Sequence, residues 1–214
     1  MVQIHENLPA PRGRPPKTEA KAEIERARIL KAAERLFSKH GYEGVSMRKV
    51  AKSAGCSAAA LYNLFPHKRA LLRNIWEGAF DLLDRRLALI EGRSPEPVAR
   101  LKALGVGYVE FWVERPDHFR ALFLIEDRVK EPGERFFVET SESLPRLVAR
   151  FELAAVAVIA TRGIEKPARE FVELVFCALH GAASALVGMP EYAWPAPVTL
   201  AERMMDALLN GLND

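Results

Sequence analysis

From about Ala20 onward the apolar side chains recur every three or four residues and do not alternate with polar ones. Ile29, Ala33, Leu36 and Phe37 form one such stripe, and Leu71, Leu72, Ile75, Ala79, Leu82 and Leu83 form another. That spacing lines up side chains on one face of a helix, and it predicts helices over roughly 20–40 and 67–91. Gly41 suits the left-handed position that closes the first of these. Between the two lie shorter signals. Ser46 can cap a helix over 47–53 with its hydroxyl, Gly55 can end it, and Ser57 can cap a second helix whose inner face carries Leu61 and Phe65. Two short helices joined by a tight glycine-containing turn make a helix-turn-helix. Pro66, with its fixed φ, marks the entry to the next helix. Further helices are predicted near 97–114, 116–127, 142–161, 167–187 and 197–212, with most breaks at proline or glycine. No alternating stretch bounded by hairpin turns competes with them, so the fold expected is all-α.

Composition divides the chain without changing that picture. Residues 1–20 hold four of the fourteen prolines and no apolar periodicity, as a disordered basic arm would. Residues 21–68 form the helix-turn-helix unit, and 69–214 a larger helical unit. The net charge of +3 conceals a split. Through Ile75 there are fifteen Lys/Arg against six Asp/Glu, and from Trp76 onward sixteen against twenty-two. A basic module joined to an acidic one points to a polyanionic partner for the first part only. The best uninterrupted apolar run, Leu153–Thr161, is about half of a membrane span, and the N-terminus has no apolar signal core, so a cytoplasmic protein without membrane contact is expected. Cys56 and Cys177 are too few for a disulfide framework or a zinc site. No cofactor motif, metal-spaced cluster, nucleophile elbow or phosphate-cradling loop appears, which argues against an enzyme.

A recognition helix enters the major groove, while groups at helix starts hold phosphates and set its register. With Leu61 and Phe65 turned inward, Ala58, Ala59, Tyr62 and Asn63 are left to face outward. Ser46, Arg48, Ser57, His67 and Lys68 sit near helix N-termini, where hydroxyls, cations and N–H groups meet phosphate oxygens. The run Arg28-Ile29-Leu30 through Leu71, with Ala33, Phe37, Gly41-Tyr42, Ser46, Val50-Ala51, Ala54-Gly55, Leu61-Tyr62, Phe65 and Lys68, resembles the DNA-binding domain of the tetracycline-repressor (TetR/AcrR) family. The resemblance covers about fifty residues with the spacing intact. It implies DNA contacts by Ser46, Arg48, Ala58 to Asn63 (Ala60 included) and Lys68, with Tyr62 and Lys68 on the backbone.

The reading face departs from the family's usual pattern. Three alanines, Ala58 to Ala60, offer only methyl contacts, which suit the thymine methyl, so Asn63 is the candidate for base readout, ideally bidentate to adenine. Phosphate contacts and DNA shape would then carry much of the specificity. The arm adds Pro11-Arg12-Gly13-Arg14-Pro15, which resembles an AT-hook core; its extended backbone would let Arg12 and Arg14 enter a narrow minor groove.

The remaining 140 or so residues exceed what scaffolding a three-helix reader requires. Their aromatic residues suit a helical core that leaves room for a small apolar effector; Phe111, Trp112, His118, Phe123 and His180 are the candidate contacts. Leu179-His180-Gly181 is similar to the motif of a C-terminal regulatory subgroup of the family named for Trp-His-Gly. The resemblance also implies a homodimer, with the last two helices pairing across a four-helix bundle. Their interface candidates are Phe171, Leu174, Val175, Ala178, Ala182, Leu186, Met204 and Leu208. The function expected is a transcriptional regulator of double-stranded operator DNA, a repressor released by its effector. An activator of the same build, or a constitutive architectural DNA-binding protein, is the alternative.

Overall fold

The computed structural model describes residues 17–123 and 141–212, with side chains from Ala20 onward. Among the described residues there are nine helices and no strand. They are α1 (Lys17–His40), α2 (Met47–Ala54), α3 (Ala58–Leu64), α4 (Lys68–Glu91), α5 (Pro97–Val113), α6 (Pro116–Phe123), α7 (Ser143–Arg162), α8 (Ala168–Gly188) and α9 (Pro197–Gly211). The expected all-α architecture is present, and helix ends fall within a few residues of the expected ones. His67 precedes α4 as its cap and is not part of the helix. The predicted helix over 116–127 is described only through Phe123, and the arm with Arg12 and Arg14 lies outside the described residues.

One long helix and two short ones form the first unit. Ile29, Ala33 and Phe37 of α1 meet Val50 and Ala51 of α2, Leu61 of α3 and Phe65 in one buried cluster. Helix α4 carries that same cluster on from Leu71 and Leu72 through Leu83 and Leu87, so the expected boundary at residue 68 falls at the start of a helix shared by both units.

The second unit is built around α5, which packs against α4, α6, α7, α8 and α9. Two glycines make that close packing possible. A Cβ on Gly105 would stand 2.9 Å from the Met205 side chain of α9, and one on Gly107 would stand 2.4 Å from Cδ1 of Ile90 on α4. Polar ties hold α7 against α4. Arg150 grips the buried Asp84 carboxylate at 2.9 Å and also pairs with Glu91. Glu77 of α4 caps the start of α7 across the chain: its carboxylate accepts from Ser141 Oγ at 2.8 Å, the Ser143 amide at 2.7 Å, the Glu142 amide at 3.2 Å and Ser143 Oγ. Burial works to raise the Glu77 pKa, but the hydrogen bonds from Ser143, Ser141 and Glu142 outweigh it and leave it below the usual carboxylate value.

One expectation needs correction. Leu82, placed in the apolar stripe of α4, is 47% exposed and lies in a cleft between α1, α4 and α6. Helix α8 is 21 residues long with a mean hydropathy of 1.7 over its best window, so one segment does have the length and composition to cross a membrane. Phe171, Val172, Val175, Leu179, Ala182, Ala183 and Val187 put one side of it in the protein core, which accounts for its apolarity. A search for unbroken apolar runs misses such a helix because Glu173 and His180 interrupt it.

Candidate nucleic-acid interface

Backbone geometry around α2 and α3 follows from a few caps. Ser46 Oγ accepts from the Lys49 amide at 3.3 Å, and Ser57 Oγ accepts from the Ala60 amide at 3.1 Å. Gly55, at φ 66° and ψ 38°, takes the left-handed turn between them, a conformation costly for a side chain with a Cβ. At the entry to α4, His67 Nδ1 accepts from the Ala70 amide at 3.1 Å, so the ring is held as a cap.

These caps fix which side chains face out. Leu61 and Phe65 are buried, while Ala58, Ala59, Tyr62 and Asn63 are exposed and Ala60 is half-buried. Ser46, Arg48, Ser57 and His67 are exposed around them. Lys68 is different. Its ammonium donates to the Tyr42 carbonyl at 2.7 Å, lies 3.9 Å from the centre of the Tyr42 ring and sits 3.8 Å from Glu43. The lysine expected on the DNA backbone therefore ties α4 to the turn after α1. Two other exposed cations of α2, Lys49 and Lys52, went unnoticed in the sequence reading. The signal was available: no Asp or Glu occurs from Gly44 to Trp76, a stretch with six Lys/Arg.

The effector candidates separate in space. Trp112, Phe123 and His180 share one aromatic cage with Tyr108 and Phe119. Phe123 lies 4.4 Å from His180 and 5.1 Å from Trp112, centre to centre. Tyr108 Oη is 3.1 Å from His180 Nδ1. Burial pushes the Tyr108 hydroxyl far above its ordinary pKa and the His180 imidazole below its own, which favours the neutral form of each. Phe111 touches the outer edge of Trp112 and is covered by the Arg115 guanidinium at 4.4 Å. His118 lies outside the cage: its Nδ1 is 2.6 Å from Glu34 of α1, and Ser38 donates to Asp117 at 3.0 Å beside it. Tyr108 and Phe119 are not among the candidate contacts because nothing in their spacing sets them apart from core aromatics.

The interface candidates divide as well. Phe171, Val175 and Ala182 are buried in the protomer's own core. Leu174 is 58% exposed, and Ala178, Leu186, Met204 and Leu208 are half-buried.

Residues 29–75 match the model of bacterial regulatory proteins of the tetR family, and residues 101–208 match that described as Tetracyclin repressor-like, C-terminal domain. The chain belongs to the tetracycline-repressor family. Among its TetR-family relatives, the transcriptional regulator UidR of Escherichia coli K12 is 34% identical over 96 residues, 45% of this chain and 43% of that protein. The repressor KstR of Rhodococcus jostii is 43% identical over 70 residues, 33% of each chain. The match thus spans less than half the length of either relative. In fold, the regulator FadR of Bacillus subtilis, solved in complex with stearoyl-CoA, superposes with a TM-score of 0.74 at 15% identity, covering 86% of this chain and 98% of that one. The TetR architecture therefore extends over both units.

Proposed function

We propose that this TetR-family regulator is a repressor that binds duplex operator DNA as a homodimer and leaves it when a small apolar molecule enters the second unit. The observation that carries the DNA reading is the exposed face of α2 and α3. It presents Ala58, Ala59, Tyr62 and Asn63 among Arg48, Lys49 and Lys52, with no acidic residue from Gly44 to Trp76. A face of that kind meets a polyanion and lets one short helix enter a major groove. Ser46 and Ser57 hold phosphates from the helix starts, Asn63 reads a base edge, and the alanines contact thymine methyls. Arg12 and Arg14 of the arm add minor-groove contacts.

One protomer offers a single reading helix, and two-fold pairing supplies the second. The outward residues of α8 and α9, Leu174 and half-buried Ala178, Leu186, Met204 and Leu208, form the contact. Effector release runs through α6. Its Phe119 and Phe123 line the aromatic cage, while Asp117 and His118 hold α1. A ligand that binds better when the cage is rearranged shifts the population of α1 orientations and the spacing of the two reading helices.

Selection of duplexes from a random pool by the purified full chain, followed by band-shift titration, tests the reading. A two-fold symmetric site whose binding weakens steeply with salt is expected. Enrichment of no sequence, or binding by a monomer, would overturn it.

A further inference from the structure

Away from the aromatic cage, an open cleft of about 560 Å³ lies between α1, α4 and α6. Its floor is apolar: Leu30 of α1 and Ile75, Ala79 and Leu82 of α4 line it, and Leu82 is left 47% exposed there. Gly78 stands among them, inside the 24-residue helix α4, where glycine is a poorer helix former than alanine. Neither usual reason for a glycine applies. Its φ is not positive, and a Cβ built on it would meet nothing within 4 Å. What the missing side chain does is leave the cleft open. Around the rim, most polar groups are matched to one another. Glu34 pairs with His118, while Asp117 accepts from Ser38 and pairs with Arg120. Glu114 holds Arg86 and Arg115, and Asn74 bonds Arg26 and the Ala70 carbonyl. Lys31 and Arg35 are the exceptions. They lie one turn apart on α1 and line the same cleft, and their side chains have no ion pair or hydrogen bond among the described residues.

We propose that this cleft is a further ligand site, for a small organic anion with an apolar body. The anionic head meets Lys31 and Arg35, and the body lies over Gly78 against Leu30, Ile75 and Leu82, covering apolar surface now open to water. Charge decides the class. The rim carboxylates are already paired, so a cationic ligand has to displace a partner, whereas an anion meets two cations that have none among the described residues. A neutral apolar molecule covers the floor and gains nothing from the rim. The cations stand on the reading unit and the floor on the helix shared by both units, so one occupant touches both. The site is separate from the aromatic cage and does not depend on the effector reading of that cage.

Octanoate, octanol and octylammonium share one chain and differ in the charge of the head. Each is titrated into the full chain carrying ¹³C-labelled leucine methyls, and Leu82→Ile identifies the Leu82 signals by their loss. Octanoate is expected to shift those signals and to bind roughly five- to ten-fold more tightly than octanol, the worth of two exposed ion pairs, with the advantage fading as salt rises. Octylammonium is expected to bind more weakly than the alcohol. Removing both exposed cations, Lys31→Gln with Arg35→Gln, should bring octanoate down to the affinity of octanol and leave the alcohol's own affinity unchanged. Gly78→Leu fills the floor at a point where the helix has room for a side chain, and it should abolish binding of both. The double variant, at exposed positions, carries the test even where Gly78→Leu does not fold. No binding of octanoate, or binding that leaves the Leu82 signals unmoved, would overturn the inference. So would equal affinity for acid and alcohol in the wild-type chain, a preference for the amine, an acid advantage intact in the double variant, or octanoate still bound beside Leu82 in Gly78→Leu.

Discussion

At the scale of single residues, the proposed DNA-facing surface makes distinct predictions for its cation and its amide. Arg48→Ala should weaken binding to all duplexes alike and lower the slope of log affinity against log salt by about one, because a phosphate contact carries no base information. Asn63→Ala should instead relax preference at one base position by about 1–3 kcal/mol, read by comparing the selected operator with single-base variants. If operator preference survives Asn63→Ala, base readout belongs elsewhere. Gly55→Ala tests the turn itself. The left-handed backbone at φ 66° should cost about 1 kcal/mol in a Cβ-bearing residue, seen as a lower urea midpoint with unchanged m. Solvent-facing positions of α3 were legible in the sequence because Leu61 and Phe65 fix the helix's phase. The engagement of Lys68 was not, since its partners Tyr42 and Glu43 come from a different turn.

At the scale of elements, the tie between α4 and α7 has a definite pH signature. The folded Glu77 carboxylate has a pKa below its unfolded value, so its stabilisation is present above the unfolded value of about 4.3 and disappears as pH falls through the folded one. Glu77→Gln should therefore lower the melting temperature at pH 7, with a loss of about 1 kcal/mol as for other helix caps, and the difference from wild type should shrink at the acid end. A constant difference down to acid pH would assign the loss to packing. Periodicity starts α7 near Glu142, but the glutamate 66 residues before Ser143 that holds it there leaves no trace in that spacing. For α8, periodicity identified the apolar residues without saying which side faces its own core. Phe171 and Val175 turn inward, and Leu174 turns outward. Leu174→Glu should accordingly split the dimer, detected by light scattering, and weaken operator binding with no loss of protomer helicity.

For the molecule as a whole, the two units meet through α1 and α6, where Glu34 pairs with His118 and Ser38 with Asp117. If this seam carries the effector's signal, Glu34→Gln combined with Asp117→Asn should preserve ligand binding in the cage while reducing ligand-induced operator release several-fold. Full release by the ligand in that double variant would place the signal on α4 instead.

What the sequence alone determined is the local part: helix spans, their caps, the helix-turn-helix and its family, and the basic character of the first unit. Each depends on residues within a turn or two of one another, where spacing and capping chemistry act directly. Tertiary structure alone decided which of the many aromatics form one cage, that His118 belongs to the seam and His180 to the interior, and that Tyr108 lies against His180. Those facts depend on helices distant in sequence arriving side by side. Burial and hydrogen-bond completion are properties of that arrival, and periodicity carries no record of them.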